Sequence, residues 1–296
     1  MLKTFFLPVF IAVFLPACLT SKKLNHEKNN LFLEKHLASY PQYFDSLLKN
    51  NDQYGIQIIY TRIDRKGNNK PKFTDHYFNV DGPGYFYPAS AVKLPTALLA
   101  LQKLNELNIE GLDKSTSMIT ETAYSGQNEV YNDPFSADGR PTVAKWVKKI
   151  LLVSDNDAFN RLYEFLGQEY INNNLHKMGY DDAEIIHRLS IFLSEDENRH
   201  GNPVNFYSFV TAADTTAQII YSKPLDNSQM IYAARNDRKG KGYYSGDKLI
   251  NEPFNFSKKN RLGLTDLHFI LRSVFFPTSV KKKQRFNLTN EDYQFV

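Results

Sequence analysis

A serine hydroxyl is a poor nucleophile near neutral pH until a neighbouring amine, kept from its charge by burial, accepts its proton. A serine three residues before a lysine offers that pairing, and the chain holds it four times: Ser46/Lys49, Ser90/Lys93, Ser245/Lys248 and Ser279/Lys282. Context separates Ser90, which follows a strand and the turn Asp81-Gly82-Pro83-Gly84 and opens an apolar helical stretch. A hydroxyl at a helix N-terminus faces unbonded N–H groups and the positive end of the dipole, which favour developing negative charge. Lys93, one turn on, falls on the same face. A capping serine followed by a solvated lysine fits the same two residues.

A second constellation, Ser154-Asp155-Asn156, occurs 64 residues after Ser90 in a short polar break between two apolar helix faces. Such a break can aim Ser154 and Asn156 into a cleft while Asp155 holds the loop. With it the chain resembles the penicillin-recognising serine hydrolases, in particular the class A β-lactamase-like family. The resemblance rests on Tyr87-Pro88-Ala89-Ser90-Ala91-Val92-Lys93-Leu94, on the run from Pro141 through Ser154-Asp155-Asn156 to Gly167, and on His187-Arg188-Leu189. It spans about Tyr54 to Ser190, slightly under half the chain. It implies Ser90 as the acylated nucleophile, with its backbone N–H as one oxyanion donor, and Lys93 as proton acceptor or relay. It implies Ser154 as the residue passing a proton to the departing nitrogen, and Asn156 as a substrate hydrogen-bonding group. A β-lactam or a peptidoglycan peptide is the implied substrate, with no metal and no organic cofactor.

Two features depart from the family pattern. The loop glutamate that activates the deacylating water lacks its usual setting; Glu195 and Glu197 lie in the right region as candidate bases, within an acidic stretch that also fits a solvated loop. The third motif, Lys-Thr-Gly or a relative on a sheet strand, has only Arg238-Lys239-Gly240 and Arg261-Leu262-Gly263 as nearest matches, neither in a stretch that reads as a strand. No late strands are expected after it. Thr289 followed by acidic residues reads as a helix start close to Val296. Together these features suggest a shortened relative lacking C-terminal strands, with an unpaired edge and an uncovered apolar face on its first hairpin.

The elements that must position these groups follow from spacing. Leu31 to Asn50 reads as helical with a break at Pro41. Tyr54–Ile63 and Phe73–Val80 read as a hairpin, and Ala89–Leu107 as a helix. Val143, Trp146, Val147, Ile150 and Leu151 repeat as one apolar face behind a Thr142 cap. Helices follow at Asp157–Leu166 and Glu169–Met178, each stopped by a glycine. Ser194–Pro203 reads as a polar loop, Phe206–Tyr221 and Leu264–Phe276 as helices, and Asn236–Lys259 as a Gly/Lys/Asn-rich excursion. The expected fold class is α+β, a β-lactamase/transpeptidase-like helical domain beside an antiparallel sheet.

Composition sets the outer limits. Residues are 42% hydrophobic and 23% charged, ordinary for a globular chain. A net charge of +4 from 36 basic and 32 acidic residues gives no argument for nucleic acid. The single cysteine, Cys18, excludes a disulfide framework within one chain. It follows Lys3, an apolar run from Phe5 to Leu15, and Leu15-Pro16-Ala17, a pattern that resembles a bacterial lipoprotein signal. The expected organisation is a signal peptide at 1–17, a tether at 18–30 lipidated at Cys18, and a hydrolase domain at 31–296, incomplete at its C-terminus. The expected product is a monomeric, lipid-anchored, periplasm-facing envelope protein. The alternative from another class is a non-catalytic envelope lipoprotein that binds peptidoglycan or a protein partner on a degenerate scaffold.

Overall fold

A computed structural model describes residues 31–65, 67–80, 84–124, 128–208 and 217–296. The expected signal peptide at 1–17 and the expected tether at 18–30 with Cys18 lie outside the described residues. Helices α1 (Leu31–Ala38), α2 (Pro41–Lys49) and α3 (Asn51–Tyr54) lead into an antiparallel hairpin of β1 (Ile58–Arg65) and β2 (Pro71–Phe78). Pro41 restarts the helix as its spacing predicts, because it tolerates the first helical turn and no later position.

The core forms from the next elements. A 3₁₀ turn at Ala89–Val92 runs into α4 (Lys93–Leu107), which packs against α5 (Val143–Val153) and α6 (Asn156–Leu166). Thr142 Oγ1 accepts the Lys145 N–H at 3.1 Å and starts α5, whose Val143, Trp146, Val147 and Ile150 turn inward as the periodicity requires. Asp155 caps α6 in the same way, accepting from the Ala158 N–H at 2.9 Å. Then α7 (Gln168–Met178) ends at Gly179 in the left-handed region. Gly167, between α6 and α7, has φ +75° and ψ 153°, a region closed to other residues, and a Cβ there would collide with the Asp226 carboxylate.

After α8 (Glu195–Arg199) and the short β4 (His200–Gly201), the structure corrects the sequence reading. Where a helix is predicted over Phe206–Tyr221, β5 (Val204–Tyr207) and β6 (Ile219–Lys223) pair antiparallel. They form a three-stranded sheet with β3 (Ser117–Thr120) in the order β3-β5-β6. Val204 and Phe206 are buried while Asn205 and Tyr207 are not, so the period is two, but a four-residue strand shows too few residues to reveal it. The expected polar loop at 194–203 likewise contains a helix, α8, started by a reciprocal cap between Ser194 and Glu197.

Strand β7 (Asp226–Asn227) pairs with β4, and the 236–259 excursion folds into two small antiparallel pairs. In it β8 (Arg238–Lys239) meets β11 (Phe254–Asn255), and β9 (Tyr243–Ser245) meets β10 (Lys248–Ile250). Two helices complete the described chain, α9 (Leu264–Phe275) and α10 (Asn290–Phe295). The first hairpin is not uncovered as expected. The Arg272 guanidinium of α9 lies 3.7 Å from the Phe73 ring centre and 3.1 Å from Asp75, and Phe32 of α1 packs on His76. Thr289 starts α10, and this short helix is held by tertiary contacts: the buried Asp292 accepts from Asn105 at 2.9 Å and pairs with Lys114 at 3.2 Å. Helices beside antiparallel sheets make the fold α+β.

Candidate active site

Lys93, the first residue of α4, is only 2% exposed, and four oxygens surround its amine. Ser90 Oγ lies at 3.2 Å, Ser154 Oγ at 3.0 Å and Asn156 Oδ1 at 2.7 Å. The Ser154 carbonyl oxygen is the fourth acceptor. Burial lowers the Lys93 pKa below its ordinary value, and the nearby Asp155 carboxylate opposes the shift. A neutral amine carries two N–H donors and one lone pair. Its donors suit the Asn156 and Ser154 carbonyl oxygens, which cannot donate, leaving the lone pair for a hydroxyl proton from Ser90 or Ser154. Ser90 itself is exposed, so its oxygen meets solvent on one side and the amine on the other.

Backbone conformations place these groups. Ala89, just before the serine, has φ +44°; Ser154 has φ +54° and Ser190 has φ +56°. A left-handed non-glycine residue costs about 1–2 kcal/mol, so each of the three segments meeting here holds a strained turn. Ser190 is absent from the sequence-based site. It accepts a hydrogen bond from Asn156 Nδ2 at 2.6 Å and so fixes which amide atom Asn156 turns to Lys93. Its place directly after Arg188-Leu189 was legible, but no serine announces a left-handed turn.

Helix α6 anchors the loop that carries Ser190. Asn160, one turn after Asn156, accepts from the Leu189 N–H at 2.8 Å and donates to the Leu189 carbonyl at 3.0 Å. Glu164, one turn further, pairs with Arg188 at 2.9 Å and with Arg161 at 3.1 Å, all three side chains being nearly inaccessible. The remaining Arg188 nitrogens donate to the Glu197 and His200 carbonyls. One face of α6 thus sets the Lys93 contact, the loop backbone and a buried charge network in consecutive turns.

The two candidate bases stand apart from this group. Glu197 is engaged in the α8 cap, accepting from the Ser194 N–H at 2.7 Å, and that bond holds its carboxyl below the ordinary range. Glu195 is exposed and pairs with Lys258. Among the described residues, no carboxylate hydrogen-bonds to Ser90, Lys93, Ser154, Asn156 or Ser190. For the third motif, Arg238-Lys239 does form a strand, contrary to the sequence reading, but both residues are exposed and pair only with β11. Arg261 bridges the backbone of Glu184, and its side chain reaches Asp237 at 3.4 Å. A cavity of about 830 Å³ lies beside the group; Tyr87 and Ser190 line it, whereas Ser90, Lys93, Ser154 and Asn156 do not. The four residues therefore converge on the buried Lys93 amine beside this cavity rather than within it. Among the described residues no cluster of His, Cys, Asp or Glu could hold a metal ion.

No curated protein matches this chain. Among solved structures, a crystal structure of a beta lactamase from Burkholderia vietnamiensis is 14% identical, over 56% of this chain and 54% of that one, with a TM-score of 0.35. The chain thus spans about half the length of that protein. The family model described as the Beta-lactamase enzyme family matches residues 44–229, a stretch that begins before the hairpin and takes in Ser90, Lys93, Ser154, Asn156 and Ser190. That stretch is well over half of the sequence, and the chain belongs to the beta-lactamase enzyme family.

Proposed function

We propose that the protein is a serine acyl-transfer hydrolase of the penicillin-binding type, acylated at Ser90 by a β-lactam or by a peptidoglycan-peptide amide. The observation that carries this reading is the buried Lys93 amine within reach of both Ser90 Oγ and Ser154 Oγ. Ser90 attacks the carbonyl carbon while its proton passes to neutral Lys93. The Ser90 N–H, at a helix start whose first amides have no intrahelical partner, donates to the oxyanion. Ser154 relays the proton from Lys93 to the departing nitrogen, the C–N bond breaks, and an ester on Ser90 remains. Asn156, oriented by Ser190, hydrogen-bonds the substrate amide.

Release of the acyl group needs water and a base. With no carboxylate bonded to this group, the ester hydrolyses slowly, so the protein behaves as a penicillin binder rather than as a fast β-lactamase. Fluorescent penicillin tests this: the purified protein is expected to take up a stable covalent label that Ser90→Ala abolishes. A folded protein that takes no label would overturn acylation and favour a scaffold that binds peptidoglycan or a protein partner. We further propose that Cys18 is lipidated and holds the protein at the periplasmic side of the cell envelope. Incorporation of labelled palmitate that disappears in Cys18→Ala is the expected result.

A further inference from the structure

The cavity of about 830 Å³ is enclosed by the 187–195 loop and by segments at 230–235 and 257–259. Its size lies within the roughly 300–1,000 Å³ that enclose small organic molecules. Leu189, Ile191, Leu193, Met230 and Ile231 give it a largely apolar wall. The charged groups on that wall are unequally satisfied. Arg188 is taken by Glu164, and Lys258 by Glu195. Glu184 is bound by one terminal nitrogen of Arg235.

Two cations on the same wall have donors left over. The Nη1 and Nε of Arg235 are buried without a hydrogen-bond partner, Nε lying 3.8 Å from the Asp237 carboxylate. His187 Nε2 is buried without a partner as well, but burial lowers the ring's pKa and Nδ1 donates to the Arg188 carbonyl at 2.6 Å, so Nε2 is an acceptor and asks for no anion. Lys259, half-buried, has no carboxylate at ion-pair distance among the described residues. Both acids on the wall are already paired with cations, so the unmet demand is for negative charge. A buried guanidinium N–H without an acceptor is costly, and an anionic ligand would relieve that cost.

We propose that this cavity binds an organic anion with an apolar body, its carboxylate or equivalent group met by Lys259 and Arg235 and its hydrocarbon part by the Leu189 and Met230 walls. The cavity adjoins the Ser90 group without being lined by Ser90, Lys93, Ser154 or Asn156, and its filling does not require acylation. Its wall does include Ser190, so an occupant touches the loop that orients Asn156.

Calorimetric titration of the purified protein with dodecanoate tests the proposal, with dodecyltrimethylammonium as the cation of matching chain length. Saturable one-to-one binding of dodecanoate is expected, tighter than that of the cation by about tenfold or more. Lys259→Glu is expected to weaken dodecanoate binding by about tenfold or more. Ala234→Trp, which places an indole in the cavity from an exposed wall position, is expected to abolish it. Equal affinity for the two amphiphiles, or undiminished binding in Lys259→Glu, would overturn the anionic assignment. Undiminished binding in Ala234→Trp, or no saturable binding of dodecanoate below about 1 mM, would overturn the cavity as a site.

Discussion

Helix α6 and the first hairpin bury their side chains very differently. From Ala158 to Leu166 every residue of α6 is buried, charged Arg161 and Glu164 included, whereas no residue of β1 or β2 reaches that state. Side chains that must be held to a fraction of an ångström come from the dense region: Lys93 from α4, Asn156 and Asn160 from α6, and the loop at Ser190 that α6 anchors. The hairpin and the 236–259 excursion pack through rings and partly exposed ion pairs. Burial of Lys93, which depresses its pKa, is available only where the packing is dense.

The largest difference between the two regions should appear in the charge network. Glu164→Ala leaves the buried Arg188 guanidinium without a carboxylate, while Arg161 keeps Asp157 at 2.8 Å, and is expected to cost about 3–5 kcal/mol, read by urea denaturation. A loss below about 1 kcal/mol would mean that α6 does not hold the 187–200 loop through charge. Phe159→Ala, at a fully buried position, is expected to cost about 3–5 kcal/mol, and Ile63→Ala on the hairpin to stay within about 0.5 kcal/mol. Equal costs would erase the contrast.

A smaller effect lies on the side of α9. Burial and the neighbouring Asp182 and Asp181 carboxylates push the Asp266 pKa up to about 7, from an ordinary 3.8. Between those values the folded protein keeps a proton that the unfolded chain has lost, so this group's contribution to stability falls as pH rises through that window. Asp266→Asn is expected to raise the melting temperature above pH about 7 and to leave it nearly unchanged below pH about 4. A uniform shift at both ends would contradict the assignment.

How far the sequence reveals each region follows from element length. In α5 and α7 periodicity over eleven residues combines with a cap or a terminal glycine, and the elements form as expected. β5 and β6 are too short to show a period, and Phe206 reads equally well as one turn of a helix. The Ser90, Lys93, Ser154 and Asn156 group is legible because two local patterns specify it. Ser190 acts through a backbone angle and a bond to a residue 34 positions away, and the Glu164–Arg188 pair spans 24 positions. Neither leaves a local mark.

A neutral Lys93 taking the Ser90 proton is best tested by the pH dependence of acylation, followed with a chromogenic cephalosporin under single-turnover conditions. The rate is expected to climb with pH to a plateau, with a midpoint below the ordinary lysine value of 10.5, and the climb is expected to vanish in Lys93→Ala together with about a hundredfold or more of the rate. A flat profile, or a climb of the same size in Lys93→Ala, would contradict it.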